Sequence, residues 1–310
     1  MMYCKTWLLV SLFILLNILL LFFTARTLER QKWLKLNVVI PQNYKFILDL
    51  PEKCQQQEPF VVIIVPVAPE NIEARNAIRT TWGNEGLVRD KIVLVLFLLG
   101  SRSGNETLQE QLQNESQQHG DLLQSSFQDT YRNLTVKTLV MMEWLSRKCP
   151  QASYAAKVDA DVLLNVKNLL YMLVSLNTLE RNYITGLVLS VNNVMRDPTS
   201  KFYIPHDVYP RSRYPPYPQG MCYIFSMDLP EKILHISRFV RPIFIEDAYI
   251  GMCLRRLGIR PEKLNFGQFL IRPPEHLDRF YYSGLIAILT QSPSQLISYW
   301  MDVQSSNKLC

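Results

Sequence analysis

Two aspartates stand two positions apart where a short apolar run ends, in Lys157-Val-Asp159-Ala-Asp161. In an extended chain such residues point the same way, so both carboxylates can face one hard cation, and oxygen donors suit Mg²⁺ or Mn²⁺. A divalent ion held there would neutralise a diphosphate leaving group as its bond to a sugar breaks. The same D-x-D pattern also occurs as a solvated turn; its place after an apolar strand is what argues for a site. A second acidic pair, Glu246-Asp247, follows Phe244-Ile245 and precedes the helical run Gly251 to Leu257, which Gly258 closes. The helix dipole favours acids at such a start by about 0.3 to 1 kcal/mol, which accounts for either acid alone. A carboxylate rising there beside a metal diphosphate can also take the proton of an acceptor hydroxyl as a general base. Arg75 and Arg79 lie four apart on one helical face, where they either meet an anionic nucleotide or form a plain basic surface. His119, His206, His235 and His276 show no metal-ligand spacing, and no cysteine pair reads C-x-x-C, which argues against a zinc site.

Positioning these groups requires strands that end at them. Phe60 to Val65 and Ile92 to Leu99 are continuous apolar runs of the kind buried on both faces of a parallel sheet. Glu70 to Thr81 reads as a helix between them, Thr135 to Ser146 as another, and Tyr154 to Val158 as the strand that delivers the aspartates. Strand, helix and strand alternate as in an α/β domain, whose ligands bind beyond the carboxyl ends of its parallel strands. After Tyr183 the chain turns rich in Pro and Tyr, which suits irregular loops over a site. Of the 310 residues 48% are hydrophobic and 19% charged, so the chain folds around a core. Its net charge of +6 is spread out, not gathered in a basic block, which argues against nucleic acid as a partner.

Thr6 to Phe23 is apolar except for Asn17 and two hydroxyls, close to the ~20 residues needed to cross ~30 Å of hydrocarbon. It exceeds a signal peptide's core of about 7 to 15 residues and lacks an A-x-A site, which predicts an uncleaved anchor. The flanking charges, Lys5 before and Arg26, Arg30, Lys32 and Lys35 after, would orient it the other way. Three sequons, at Asn105, Asn114 and Asn133, are useful only if their region enters the secretory lumen, so the body is expected there. The expected organisation is a tail at 1–5, an anchor at 6–23, a stem at 24–58 and a lumenal domain at 59–310. In that oxidising space Cys54, Cys149, Cys222 and Cys253 can make two bridges, in three connectivities that the sequence leaves open, while Cys4 is a candidate for acylation.

Six motifs in order, RNAIRTTWG (Arg75 to Gly83), FLLG (Phe97 to Gly100), the stretch Glu115 to Thr138, KVDAD (Lys157 to Asp161), YPPY (Tyr214 to Tyr217) and EDAYIGMCL (Glu246 to Leu254), resemble the β-1,3-galactosyltransferase and β-1,3-N-acetylglucosaminyltransferase family of Golgi type II membrane enzymes. The resemblance implies a GT-A type nucleotide-sugar-binding domain with a mostly parallel central sheet, preceded by one transmembrane helix. It also implies a UDP-sugar donor, a glycan acceptor on glycoprotein or glycolipid, Mn²⁺, and inversion at the anomeric carbon. Carried over by motif, Asp159 and Asp161 become the metal pair, Asp247 the base with Glu246 as the next candidate, and Arg75, Arg79, Lys137 and Lys157 donor-side groups. The chain departs from the family pattern in three places. Pro218 and Met221-Cys222 stand where Cys and small residues are common, which narrows a pocket, and Cys222 becomes a candidate partner for Cys253. Leu289 occupies the position, counted back from Trp300, where many members carry a histidine suited to a third metal contact. The leading expectation is galactose transfer from UDP-galactose to the 3-hydroxyl of terminal N-acetylglucosamine. The alternatives are N-acetylglucosamine as the transferred sugar, and a catalytically weakened member that acts as a lumenal partner in oligomers with other glycosyltransferases. A secreted hydrolase is the third, and it leaves the D-x-D and the arginine helix unexplained.

Overall fold

The computed structural model describes residues 13–24 and 44–305, apart from 85, 176–177, 265–267, 273, 276 and 278. It divides into an N-terminal unit and a body, with the boundary at Ile40 and Pro41. In the first, residues 13–24 form helix α1, whose apolar side chains are exposed. Residues 6–12 of the expected anchor and 24–43 of the expected stem lie outside the described residues save for Thr24, as do Cys4 and Cys310. Among the described residues no helix is long and apolar enough to cross a membrane.

The body begins earlier than the sequence suggests. Strand β1 (Phe46–Leu48) pairs antiparallel with β5 (Leu122–Gln128), and α2 (Lys53–Gln57) carries Cys54 into a disulfide with Cys149. Residues 44–58 therefore belong to the folded body, which corrects their assignment to a stem. The centre is β2 (Val61–Pro66), in which Val61 to Val65 are fully buried because parallel neighbours cover both edges and helices both faces. Burying each such side chain contributes about 1.5 to 3 kcal/mol. Helix α3 (Ile72–Arg79) follows, capped by Asn71, whose side chain accepts from the Ala74 N–H, and the short β3 (Leu87–Val88) leads into β4 (Lys91–Ser101). Helix α4 (Glu106–His119) starts at an Asn105 cap and stops at Gly120, whose φ of +61° is the left-handed conformation that glycine adopts freely. Beyond β5 come α5 (Leu134–Lys148), β6 (Tyr154–Val158), β7 (Val162–Leu164) and α6 (Val166–Ser175).

The second half supplies β8 (Ile184–Leu189), the two-residue pair β9 (Asn192–Asn193) and β10 (Arg213–Tyr214), and the long β11 (Tyr217–Ser226). Then follow α7 (Leu229–Ser237), α8 (Glu246–Leu257), β12 (Glu262–Lys263), β13 (Phe269–Leu270), α9 (Arg279–Ser283), β14 (Ala287–Leu289) and α10 (Pro293–Ser305). The main sheet runs β1-β5-β4-β2-β6-β11-β8-β12. Its β5-β4-β2-β6 half is parallel as expected, but β11 lies antiparallel to both β6 and β8. The sheet is thus mixed, which corrects the mostly parallel expectation. This inserted antiparallel strand carries Gly220 and Met221 past the end of β6, where the aspartates emerge. A second, small sheet, β13-β14-β7, supports the other side of the same turn.

Candidate active site

The D-x-D turn is built from backbone first. Asp159 donates its N–H to Met221 O at 2.8 Å, and Thr290 donates both its N–H and its hydroxyl to Asp161 O, at 2.7 and 2.8 Å. The indole of Trp82, from the motif after α3, donates to Val162 O at 2.9 Å. Main-chain clamps from β11, β14 and the α3 end therefore fix the turn, leaving both carboxylates for other work. Asp161 is exposed, and the Asp159 side chain is 39% exposed.

Lys157, one strand position inside the turn, is the hub. Its buried ammonium contacts Asp159 Oδ1 at 2.6 Å and Glu246 Oε1 at 3.1 Å, and it donates to Gly220 O. Burial works against its charge, but Asp159 and Glu246 outweigh that and hold its pKa above the ordinary lysine value. Partial burial pushes Asp159 up to about 6 against the pull of Lys157. Lys157 is expected on the donor side from sequence; the structure makes it the group that ties the turn to α8.

Glu246 and Asp247 occupy the first turn of α8, and their environments differ. Glu246 is buried and accepts from Lys157, from Thr138 Oγ1 at 3.1 Å and from the Tyr223 hydroxyl at 3.2 Å. Its oxygens are engaged, so it is the counter-charge to Lys157, which corrects its candidacy as a base. Asp247 is half-buried. Its Oδ2 accepts from the Gly220 N–H at 3.0 Å and its Oδ1 from the Ala248 N–H at 2.8 Å. Burial, with the nearby Glu246 charge, raises Asp247 to about 6, the range in which a carboxyl can gain and lose a proton near neutrality. One residue thus joins the two halves: Gly220 takes Lys157 on its carbonyl and gives its N–H to Asp247. A Cβ there would lie 3.0 Å from Glu246 Oε1 and 3.5 Å from both Asp247 Oδ2 and Lys157 Nζ, so a side chain would press on the Glu246 carboxylate by a few tenths of an ångström.

Three other candidates are placed elsewhere. Arg75 is 1% exposed and gives two bonds to Glu115, at 2.7 and 2.6 Å, and one to Ala68 O. Arg79 pairs with Asp121 at 2.8 Å and Glu115 at 2.7 Å over the ring of Phe97. Lys137 is buried against Asp129 and Val67 O. These cations are neutralised inside the fold, which corrects their assignment to the donor; a guanidinium so paired cannot meet a nucleotide without being unburied. Met221 and Cys222 point into the core instead of narrowing a pocket. Cys222 and Cys253 are free and buried, so no second bridge joins them. Leu289 pairs with Val162 beside the turn and is packed against the core.

For a divalent ion, Asp159 and Asp161 offer hard oxygens side by side, which fits Mg²⁺ or Mn²⁺ chemistry. Among the described residues no group of three His, Cys, Asp or Glu makes a complete ligand set, so phosphate oxygens and water would have to fill the shell. Of the sequons, Asn105 at the cap of α4 and Asn114 on that helix are exposed, whereas the Asn133 amide donates to Gln128 O and is half-buried.

Sequence reasoning missed Gly220, Thr138 and Tyr223, because a glycine, a threonine and a tyrosine carry no spacing signal. The Pro- and Tyr-rich stretch and YPPY were legible as loops over a site, but not which of their tyrosines lie beside Asp247. The tyrosine of YPPY that opens β11, Tyr217, accepts from Asn192 Nδ2; burial and the Asp247 charge raise its phenol to about 12. The Tyr214 hydroxyl is buried with no hydrogen-bond partner among the described residues, an arrangement that costs about 1 to 3 kcal/mol.

Residues 73–265 match the family model described as Galactosyltransferase. The chain is 39% identical over 275 residues to human β-1,3-galactosyltransferase 2, covering 85% of this chain and 63% of that protein. To mouse β-1,3-galactosyltransferase 1 it is 38% identical over 270 residues, covering 87% of this chain and 81% of that one. Among solved structures, the WbbM bifunctional glycosyltransferase superposes at a TM-score of 0.44 and 10% identity, over 81% of this chain and 52% of that one.

Proposed function

The chain belongs to the galactosyltransferase family, and from that premise we propose that it transfers galactose from UDP-galactose to the 3-hydroxyl of a glycan acceptor, with inversion. The observation that carries this reading is the join at Gly220, which sets a carboxyl poised near neutrality in fixed relation to an aspartate pair suited to a metal diphosphate. The acceptor oxygen attacks the anomeric carbon while the bond from that carbon to the diphosphate breaks, and UDP leaves with the electron pair. Asp247 Oδ takes the proton that the acceptor oxygen loses. A single displacement of this kind inverts the anomeric centre.

Asp161, with Asp159, would hold Mn²⁺, which when bound supplies neutralisation of the departing diphosphate. Lys157 keeps Asp159 and Gly220 in place, and Glu246 keeps Lys157 charged. The acceptor proposed is terminal N-acetylglucosamine on glycoprotein or glycolipid. The setting proposed is the Golgi lumen, with 6–23 as a single-pass type II anchor and Asn105, Asn114 and Asn133 as glycan sites. N-acetylglucosamine as donor sugar shares the same chemistry. A second reading, a weakened enzyme serving as a lumenal partner of other glycosyltransferases, is favoured by the apolar Leu289 packed beside the metal turn.

Measuring UDP release by the full-length protein with each UDP-sugar, an N-acetylglucosamine-terminated acceptor and graded Mn²⁺ separates these readings. Turnover with UDP-galactose that needs acceptor and metal is expected. Turnover only with UDP-N-acetylglucosamine reassigns the donor, and turnover with neither favours the partner role.

A further inference from the structure

Asp247 is ringed on one side by tyrosines that the chemistry above does not use. Segment Tyr214 to Tyr217 crosses α8 at Gly251, where a Cβ would meet Tyr217 Cβ at 2.6 Å and Pro216 O at 3.0 Å. Gly251 is one helical turn on from Asp247, so the two share a face, and the tyrosine segment lies along it. Tyr209, Tyr214 and Tyr217 contact one another in sequence, the first pair tilted with ring centroids 5.2 Å apart and the second edge to face at 6.2 Å. The loop between β9 and β10 that carries them in is tied around Arg196, which donates to the carbonyls of Ile204, Tyr209 and Arg211. This is an ordered arch. Within it Tyr214 is 6% exposed, and its hydroxyl has no hydrogen-bond partner among the described residues.

On the other flank, Tyr131 stands before α5. Thr135 of that helix donates to Ile243 O at 2.6 Å and Thr138 to Glu246, so this corner is fastened to the start of α8. The Tyr131 ring lies 6.1 Å from that of Phe244, three residues ahead of Asp247, and is 47% exposed. Burial and the Asp247 charge both raise its phenol. The Lys201 ammonium lies 5.9 Å from the centroid of the same ring. A half-exposed aromatic ring with a cation over it and an unpaired hydroxyl therefore flank one carboxyl.

We propose that Tyr131 and Tyr214 form the acceptor-sugar subsite, the Tyr131 ring lying against the C–H face of a sugar and the Tyr214 hydroxyl bonding a sugar hydroxyl next to the one that reacts at Asp247. The proposal rests on the galactosyl-transfer reading for the reaction, but binding tests it separately. A sugar ring fits both features: its C–H face is apolar enough to cover an aromatic ring, and its edge supplies hydroxyls that donate and accept. The arch closes Tyr214 off from solvent, so the proposal requires the segment tied around Arg196 to shift when an acceptor binds.

The test uses the full-length protein with benzyl β-N-acetylglucosaminide as acceptor probe and reads acceptor KM, UDP-galactose KM, and probe binding by saturation-transfer NMR in the presence of UDP. Tyr214→Phe removes an oxygen that bonds nothing in the fold, so a purely structural role predicts no change. The subsite predicts an acceptor KM about tenfold higher and weaker NMR binding, with donor KM unmoved. Tyr131→Ala should do the same, and Tyr131→Phe, which keeps the ring, should restore binding. Monodeoxy acceptors close the cycle: wild type should discriminate against one of them by a factor that Tyr214→Phe no longer shows. If wild type transfers galactose and both variants match it in acceptor KM and binding, or if donor and acceptor KM move together, the subsite is wrong. If wild type binds the probe without transferring galactose, the catalytic reading fails and the NMR comparison alone decides the subsite. No probe binding by wild type overturns the subsite.

Discussion

Asp247 and Glu246 are neighbours with opposite fates, decided by what each oxygen touches. Asp247→Asn should lower turnover by about 10² to 10⁴-fold while UDP affinity stays near wild type. As the proposed base Asp247 would act only when ionised, so the rate should fall as pH drops through about 6, the value to which burial raises it. Stability runs the other way. A carboxyl whose folded pKa lies above its unfolded value favours the fold most when protonated, and that contribution is lost as pH rises from about 4 through about 6. At pH 7.5 the asparagine variant should therefore melt no lower than wild type, read by thermal scan, a signature of a group kept for chemistry. Lys157→Met should leave Glu246 buried without its partner and release Gly220, lowering both melting temperature and turnover; loss of one member of a buried pair costs about 3 to 5 kcal/mol. The D-x-D and the acidic pair were legible from sequence because their spacing carries geometry. Which of Glu246 and Asp247 is buried in an ion pair was not legible, because that depends on Lys157, Thr138 and Tyr223 arriving from distant elements. The same blindness put Arg75 and Arg79 on a nucleotide, since their acidic partners lie 40 and 42 positions further along the chain.

At the scale of elements, apolar runs announced the interior strands, and β6 falls where the sequence placed it, at Tyr154–Val158. β11 did not announce itself. Its start, Tyr-Pro-Gln-Gly, breaks strand rules, and its antiparallel place between β6 and β8 comes from long-range pairing that no local period records. The cysteine pairing was equally open, and the fold closes one bridge, from α2 to the end of α5. It spans 95 positions, and chain-entropy models give such a loop about 4 to 5 kcal/mol of stabilisation. Cys54→Ser should accordingly lower the melting temperature by several degrees or more, whereas Cys222→Ser, at a free and buried thiol, should change only local packing.

For the whole molecule, the sequence reads as an anchored, glycosylated, lumenal body, and a protease and glycosidase experiment decides that. Endoglycosidase treatment of the expressed protein should raise its mobility, with Asn105 and Asn114 the sites best exposed for it. No shift, combined with cleavage of the body by a protease added to the cytosolic side, would remove the lumenal assignment.

The three-residue β1 has a consequence for the sheet as a solid. β5 would otherwise end the sheet with a row of open N–H and C=O groups, the template on which protein copies zip into aggregates. Phe46–Leu48 covers that row, with the Lys45 and Ser126 backbones bonded alongside it. A segment that from sequence looks like a mere spacer is thus also a hem. Cutting it away, as a soluble version begun at Phe60 would, also removes Cys54 and its bridge to Cys149, and should leave a less stable body prone to self-association at that edge.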